Sequence, residues 1–116
     1  MPLFVIAVAA TSLVMTQGFP LSPVSPGTSA SLVCESGSGN PTPDITWWRN
    51  SQSVIDGDVY AITTEEIPGD FNEQGRRSIL SFTATYADSN LPFECRIDDY
   101  ARSSSLFINS KFHPFS

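Results

Sequence analysis

The chain is 116 residues long, enough for one domain with a real core but small enough for a covalent cross-link to matter. Six Lys and Arg face twelve Asp and Glu, a net charge of −6, and only Arg76 and Arg77 are adjacent basic residues. That balance excludes a nucleic-acid partner, because binding phosphates needs clustered basic side chains.

Nine Pro and seven Gly predict many turns and therefore short strands. Residues 3–15 form the most apolar run. No Lys or Arg precedes it and Pro2 stands near its start, so it reads as an opening strand over 4–16 behind an initiator Met1, not as a cleaved leader. Phe4, Ile6 and Val8 alternate with Val5, Ala7 and Ala9. An edge strand apolar on both faces calls for cover from a neighbouring domain or subunit. The run is shorter than the roughly 18 apolar residues of a membrane span, so a membrane anchor is expected only outside this fragment. Pro20, Pro23 and Pro26 then kink the chain, since proline is confined to sheet edges and bulges. Ser25-Pro26-Gly27-Thr28 is a turn.

A strand over residues 29–36 points Ala30, Leu32 and Cys34 inward and Ser31, Val33 and Glu35 outward. Residues 37–43, rich in Gly, Pro and Asn, are a loop. A strand over 45–49 puts Ile45, Trp47 and Arg49 on one face and Thr46 and Trp48 on the other. Register decides which Trp enters the core, and a slip of one residue exchanges them. Residues 52–55 form a short strand, Asp56-Gly57-Asp58 a turn, 59–67 a strand and 68–75 a polar acidic loop. A strand over 78–85 turns Leu80, Phe82 and Ala84 inward. Residues 86–92 make a corner. A strand over 93–98 follows, with Phe93, Cys95 and Ile97 inward. Asp99-Tyr100-Ala101 is a tight turn into a last strand over 103–112. No segment carries a helical period. Seven or more short strands separated by turn signals give an all-β antiparallel sandwich of two sheets.

Trp47 follows Cys34 by 13 positions, and Cys95 follows Cys34 by 61. That spacing fits two sheets clasped by one disulfide with an indole packed against it. A disulfide in so small a chain points to an oxidising compartment. Closing a ring of about 60 residues stabilises by roughly 4 kcal/mol in the loop-entropy account. The rival is two unpaired core thiols in an intracellular structural module.

The run Ser36-Gly37-Ser38-Gly39-Asn40-Pro41-Thr42-Pro43-Asp44-Ile45-Thr46-Trp47-Trp48, with Cys34 before it and Asp88 and Phe93-Glu94-Cys95 after it, resembles the immunoglobulin superfamily. It is similar to C2-set and I-set domains, the nephrin/Kirre and nectin-like adhesion receptors especially, and the likeness covers residues 22–108. The resemblance implies one immunoglobulin-like domain over 1–116. Residues 1–27 would be its first-strand region, 28–112 its body and 113–116 a tail. It implies a Cys34–Cys95 disulfide, a core signature of Trp47, Asp88 and Phe93, and an outward Trp48. Two positions depart from the pattern. Asn90 stands where a glycine is usual, and tolerates positive φ. Phe93 stands where a corner tyrosine is usual, keeping the ring without its hydroxyl.

For function, the resemblance implies a non-catalytic extracellular binding module of a cell-surface protein, serving adhesion or receptor recognition. The expected contact face is Thr46, Trp48, Glu94, Arg96 and Tyr100, an aromatic with flanking charges. The rival reading is that Trp48, like aromatics after the core Trp in similar domains, only covers the sheet or stacks with a nearby Arg. The apolar first strand is a second candidate. The expected partner is another immunoglobulin-like domain, met homophilically (a homodimer) or heterophilically. The location is extracellular, on a longer type I membrane protein or in secreted form. The alternative is a secreted immune-type domain that binds a microbial or self ligand through loops 37–43 and 98–102. The shortness of the second loop counts against it.

Catalytic chemistry finds little to work with. The only His is His113, beside Pro114, so a Cys-His or Ser-His pair lacks its base. Zinc needs three or four His, Cys or carboxylate ligands, and no phosphate-binding Gly loop is present. Asp56-Gly57-Asp58, Glu65-Glu66 and Asp98-Asp99 read as solvated loops and strand ends, because calcium takes six to eight oxygens. No cofactor or metal is expected. Asn40-Pro41-Thr42 fails as a glycosylation site because its middle residue is Pro.

Overall fold

The computed structural model describes residues 10, 12–18, 24–69, 73–88, 91–98 and 100–105. Among these residues, eight strands follow in order: β1 Leu13–Gln17, β2 Ser29–Ser36, β3 Thr46–Arg49, β4 Gln52–Val54, β5 Tyr60–Pro68, β6 Gln74–Thr83, β7 Pro92–Ile97 and β8 Tyr100–Ser105. A 3₁₀ turn, Tyr86–Asp88, precedes β7. The strands form two antiparallel four-stranded sheets, ordered β1-β2-β6-β5 and β4-β3-β7-β8.

The period-2 patterning decides what lies between them. Ala30, Leu32 and Cys34 of β2, Leu80 and Phe82 of β6, Trp47 of β3, and Phe93, Cys95 and Ile97 of β7 are all buried. Ala10, Leu13, Val24 and Ala84 complete the layer. Cys34 and Cys95 are bonded, with Cα atoms 6.5 Å apart, so the two sheets are clasped as the spacing predicts. Phe93 is fully buried and stacks on Phe82 with ring centroids 5.1 Å apart. Deleting the hydroxyl at this corner therefore leaves the aromatic packing in place.

Three boundaries differ from the sequence expectation. β6 begins at Gln74, inside what reads as a polar loop. Residues 74–77 instead extend the hairpin with β5, pairing Arg77 with Glu65 and Arg76 with Glu66. Opposite charges directly across a ladder favour continued pairing, and Pro68 sits at the end of an edge strand where its missing N–H costs nothing. Gly75 is buried there, and a Cβ on it would lie 2.8 Å from the Ser36 carbonyl oxygen. The close approach of these strands requires glycine.

The second difference is at the last hairpin. Ile97 pairs directly with Tyr100, so the connection is two residues and Tyr100 and Ala101 belong to β8. Asp98 takes a φ of 45°, the left-handed conformation that two-residue hairpins need. The third is the opening strand. Its described part is Leu13–Gln17, with Leu13 buried and Val14 exposed. Of the expected strand over 4–16, residues 10 and 12 are described but not in a strand, and residues 4–9 and 11 lie outside the described residues, as do Asn90, the end of the expected last strand and His113. The turn at residues 25–28 forms as expected: the Thr28 N–H donates to the Ser25 carbonyl at 3.1 Å, and Gly27 has a φ of 86°.

Candidate protein-binding face

β3 is the strand that positions the face. Alternation sends Trp47 inward, where it is 1% exposed, and Thr46 and Trp48 outward. The ladder with β7 sets Trp48 opposite Glu94 and Thr46 opposite Arg96. Four outward side chains therefore share one square of the sheet.

They are bonded to each other. The Trp48 indole N–H donates to Thr46 Oγ1 at 3.0 Å. The Arg96 guanidinium carbon lies 4.1 Å from the Trp48 ring centre, and Arg96 Nη2 donates to Glu94 Oε1 at 2.8 Å. A guanidinium stacked over an indole is held by the ring quadrupole as well as by dispersion. The stack covers part of the Trp48 ring, leaving the residue half-buried. On the same face, Ser53 stands opposite Trp48 on β4, while Ser103 and Ala101 stand opposite Glu94 and Arg96 on β8. The Trp48–Arg96–Glu94 group is therefore flanked by small side chains on both sides.

Tyr100 does not join that group. Directly paired residues point to the same face, and Tyr100 pairs with the buried Ile97. Tyr100 lies on the opposite face from Trp48, at the end of the sandwich, and is 44% exposed. The two-residue hairpin decides this, because a shift of one residue reverses every side chain.

The core signature gains two partners that the sequence reading did not single out. The Trp47 indole N–H donates to Ser78 Oγ at 2.8 Å. Arg49, on the inward face of β3, donates from Nε to Asp88 Oδ1 at 2.9 Å, while Asp88 Oδ2 accepts the Thr85 N–H at 2.9 Å. Asp88 thus holds the 3₁₀ turn and the end of β3 together. The signal for this pair was in the sequence, since an arginine at a core-facing position needs a counter-charge.

The far sheet presents a different outer surface. Arg77 lies between Glu65 and Glu35, with contacts of 2.7 and 3.4 Å. Those hydrogen bonds push its pKa above the ordinary guanidinium value. Arg76 bridges to Asp44 and, at 3.8 Å, to Glu66. Glu65 and Glu66 are therefore spent on arginines, and among the described residues no three His, Cys, Asp or Glu come together to hold a metal ion.

Residues 15–98 match the immunoglobulin domain family. The chain belongs to that family. It is 30% identical over 80 residues to the CD166 antigen of Rattus norvegicus, which covers 67% of this chain and 14% of that protein. Its fold is similar to the crystal structure of the mouse nectin-like molecule 4 full ectodomain, with a TM-score of 0.72, 12% identity and coverage of 90% of this chain and 35% of that one. It is also similar to the crystal structure of the Down Syndrome Cell Adhesion Molecule, N-terminal eight Ig domains. There the TM-score is 0.56 and the identity 24%, with 86% of this chain and 12% of that chain covered. This immunoglobulin chain thus spans a minor part of each. Among its described residues, no helix is long and apolar enough to cross a membrane.

Proposed function

We propose that this chain is one bead of an extracellular, non-catalytic recognition protein at the cell surface, and that it meets another immunoglobulin-type domain through Thr46, Trp48, Glu94 and Arg96. The observation that carries the reading is the Trp48–Arg96 stack, 4.1 Å from ring centre to guanidinium carbon, on the outer face of the β4-β3-β7-β8 sheet. Interface hot spots are enriched in Trp and Arg, and side chains already held in place lose less entropy on binding. Similarity to domains of the CD166 antigen and of a cell adhesion molecule supports the class of function. Loop-based recognition by a secreted domain has less support. The 97–100 connection is two residues, and loop 37–43 is tied down by the Gly39–Gln74 backbone bonds, 3.0 Å in both directions.

Sedimentation velocity over a wide concentration range tests the reading. Concentration-dependent dimers of the native chain that vanish in Trp48→Ala support homophilic contact through this face. Dimers that survive the substitution remove the face from the interface and shift attention to the opening strand. If the chain stays monomeric, capture of immunoglobulin-type partners on immobilised native and Trp48→Ala protein decides, and equal capture by both refutes the face.

A further inference from the structure

A second surface lies at the corner where β4 hands the chain across to β5; it meets the Trp48 face at Ser53, and its other lining residues lie beyond that face. Arg49, Gln52, Val54, Asp58, Val59 and Tyr60 are among the residues that line a cleft of about 480 Å³ there. That volume lies within the range of clefts that hold a small ligand or one inserted side chain. The turn forming its rim is ordered. The Gly57 N–H donates to the Tyr60 carbonyl at 2.8 Å, and Asp56 Oδ1 accepts the Ile62 N–H at 2.8 Å.

The rim is unusual in what it exposes. Ile55 is 79% and Val59 72% exposed, the two most exposed large hydrophobic side chains among the described residues. Asp58 has no hydrogen-bond or ion-pair partner among the described residues. Arg49 brings no free charge, because Asp88 neutralises it at 2.8 Å. The cleft therefore combines apolar walls, the half-buried ring of Tyr60 and a net negative rim from Asp56 and Asp58.

We infer that this cleft receives an arginine side chain from a loop of a protein partner. Arginine is the side chain whose chemistry matches both halves of the site. Its three-methylene stem suits Ile55 and Val59, and its planar guanidinium suits the Asp58 carboxylate and the Tyr60 ring, which line the same cleft. A lysine would offer only a point charge, and a purely apolar anchor would leave the charge of the exposed Asp58 unused. The inference does not depend on the outer face of the sheet.

The test is an ¹⁵N NMR titration of the whole chain with three blocked tripeptides: Ac-Gly-Arg-Gly-NH₂, its uncharged citrulline counterpart, and Ac-Gly-Leu-Gly-NH₂. The arginine peptide is expected to shift the amides of Gly57, Asp58, Val59 and Tyr60 in a saturable way, with the effect weakened by added salt. Citrulline for arginine, or Asp58→Asn in the protein, should weaken binding about fivefold, the upper range for a solvent-exposed ion pair. Trp48→Ala should leave the titration unchanged, so failure here is distinct from failure of the proposed face. Equal binding of the citrulline peptide, tighter binding of the leucine peptide, or no saturable shift at the cleft would each overturn the inference.

Discussion

The Trp47 indole N–H donates across the sandwich to the Ser78 hydroxyl, at 2.8 Å, directly beside the disulfide. Trp47 pairs with Cys95 on one sheet, and Ser78 pairs with Cys34 on the other. A covalent link and a hydrogen bond therefore run side by side between the same two pairs of neighbouring residues. Each holds the register that the other needs.

Truncating this pair should have graded effects. Ser78→Ala leaves a buried indole N–H without an acceptor and should lower stability by about 1–3 kcal/mol. Trp47→Ala removes the ring as well and should lower it by about 3–5 kcal/mol. Urea denaturation read by circular dichroism gives both values. Because the two residues touch, the double mutant should fall short of the sum. A strictly additive result would show that the bond contributes nothing.

Asp88→Ala should destabilise by about 3 kcal/mol, the lower end for breaking a buried ion pair. Arg49 keeps 28% side-chain exposure and can turn toward water, whereas Asp88 is only 5% exposed. The loss also frees the Thr85 N–H. Arg49→Met with and without Asp88→Ala completes a cycle whose coupling energy should exceed about 1 kcal/mol. A coupling near zero would mean that Asp88 acts through the turn alone.

Trp48→Ala should cost far less than Trp47→Ala, about 1 kcal/mol. It removes a guanidinium stack on a partly exposed ring and leaves no buried cavity. The same urea series measures it. Equal losses at the two positions would mean that the strand presents the wrong tryptophan to the core.

Stability should fall on the alkaline side through Tyr60. Burial raises its phenol above the ordinary value of 10.0, with Arg49 opposing and Asp88 adding to the shift. The folded chain thus holds the phenolic proton more tightly than the unfolded chain. Its contribution is fully present below about pH 10 and is lost as the pH rises through the folded-state value. Tyr60→Phe should flatten that alkaline decline in thermal melts. Tyr86, also raised by burial, should retain part of it. An unchanged alkaline slope in the variant would assign the whole effect elsewhere.

Much of this architecture is legible because β-strands have a period of two. The alternation of Ala30, Leu32 and Cys34, and of Phe93, Cys95 and Ile97, names the inward faces before any coordinates are known. The spacing of Cys34, Trp47 and Cys95 then fits a clasp with a packed indole, and the resemblance to immunoglobulin domains names Trp47 rather than Trp48 as that indole. Ser78 belongs to the same inward row as Leu80 and Phe82, but only the facing sheet shows that its hydroxyl has an indole to meet. Arg49 announces a buried charge, and only the turn at Tyr86–Asp88 brings its partner within 2.9 Å.

What the chain alone determined is parity along each strand, because side-chain direction is a local property of extended backbone. What only the tertiary structure decided is pairing between strands: where the ladders start, how tight the last hairpin is, and which side chains become neighbours. Tyr100 illustrates the difference. Its chemistry suits an interface, but the two-residue connection after Ile97 turns it away from Trp48. The β4–β5 cleft is likewise invisible in one dimension, because it exists only where a chain leaves one sheet and enters the other.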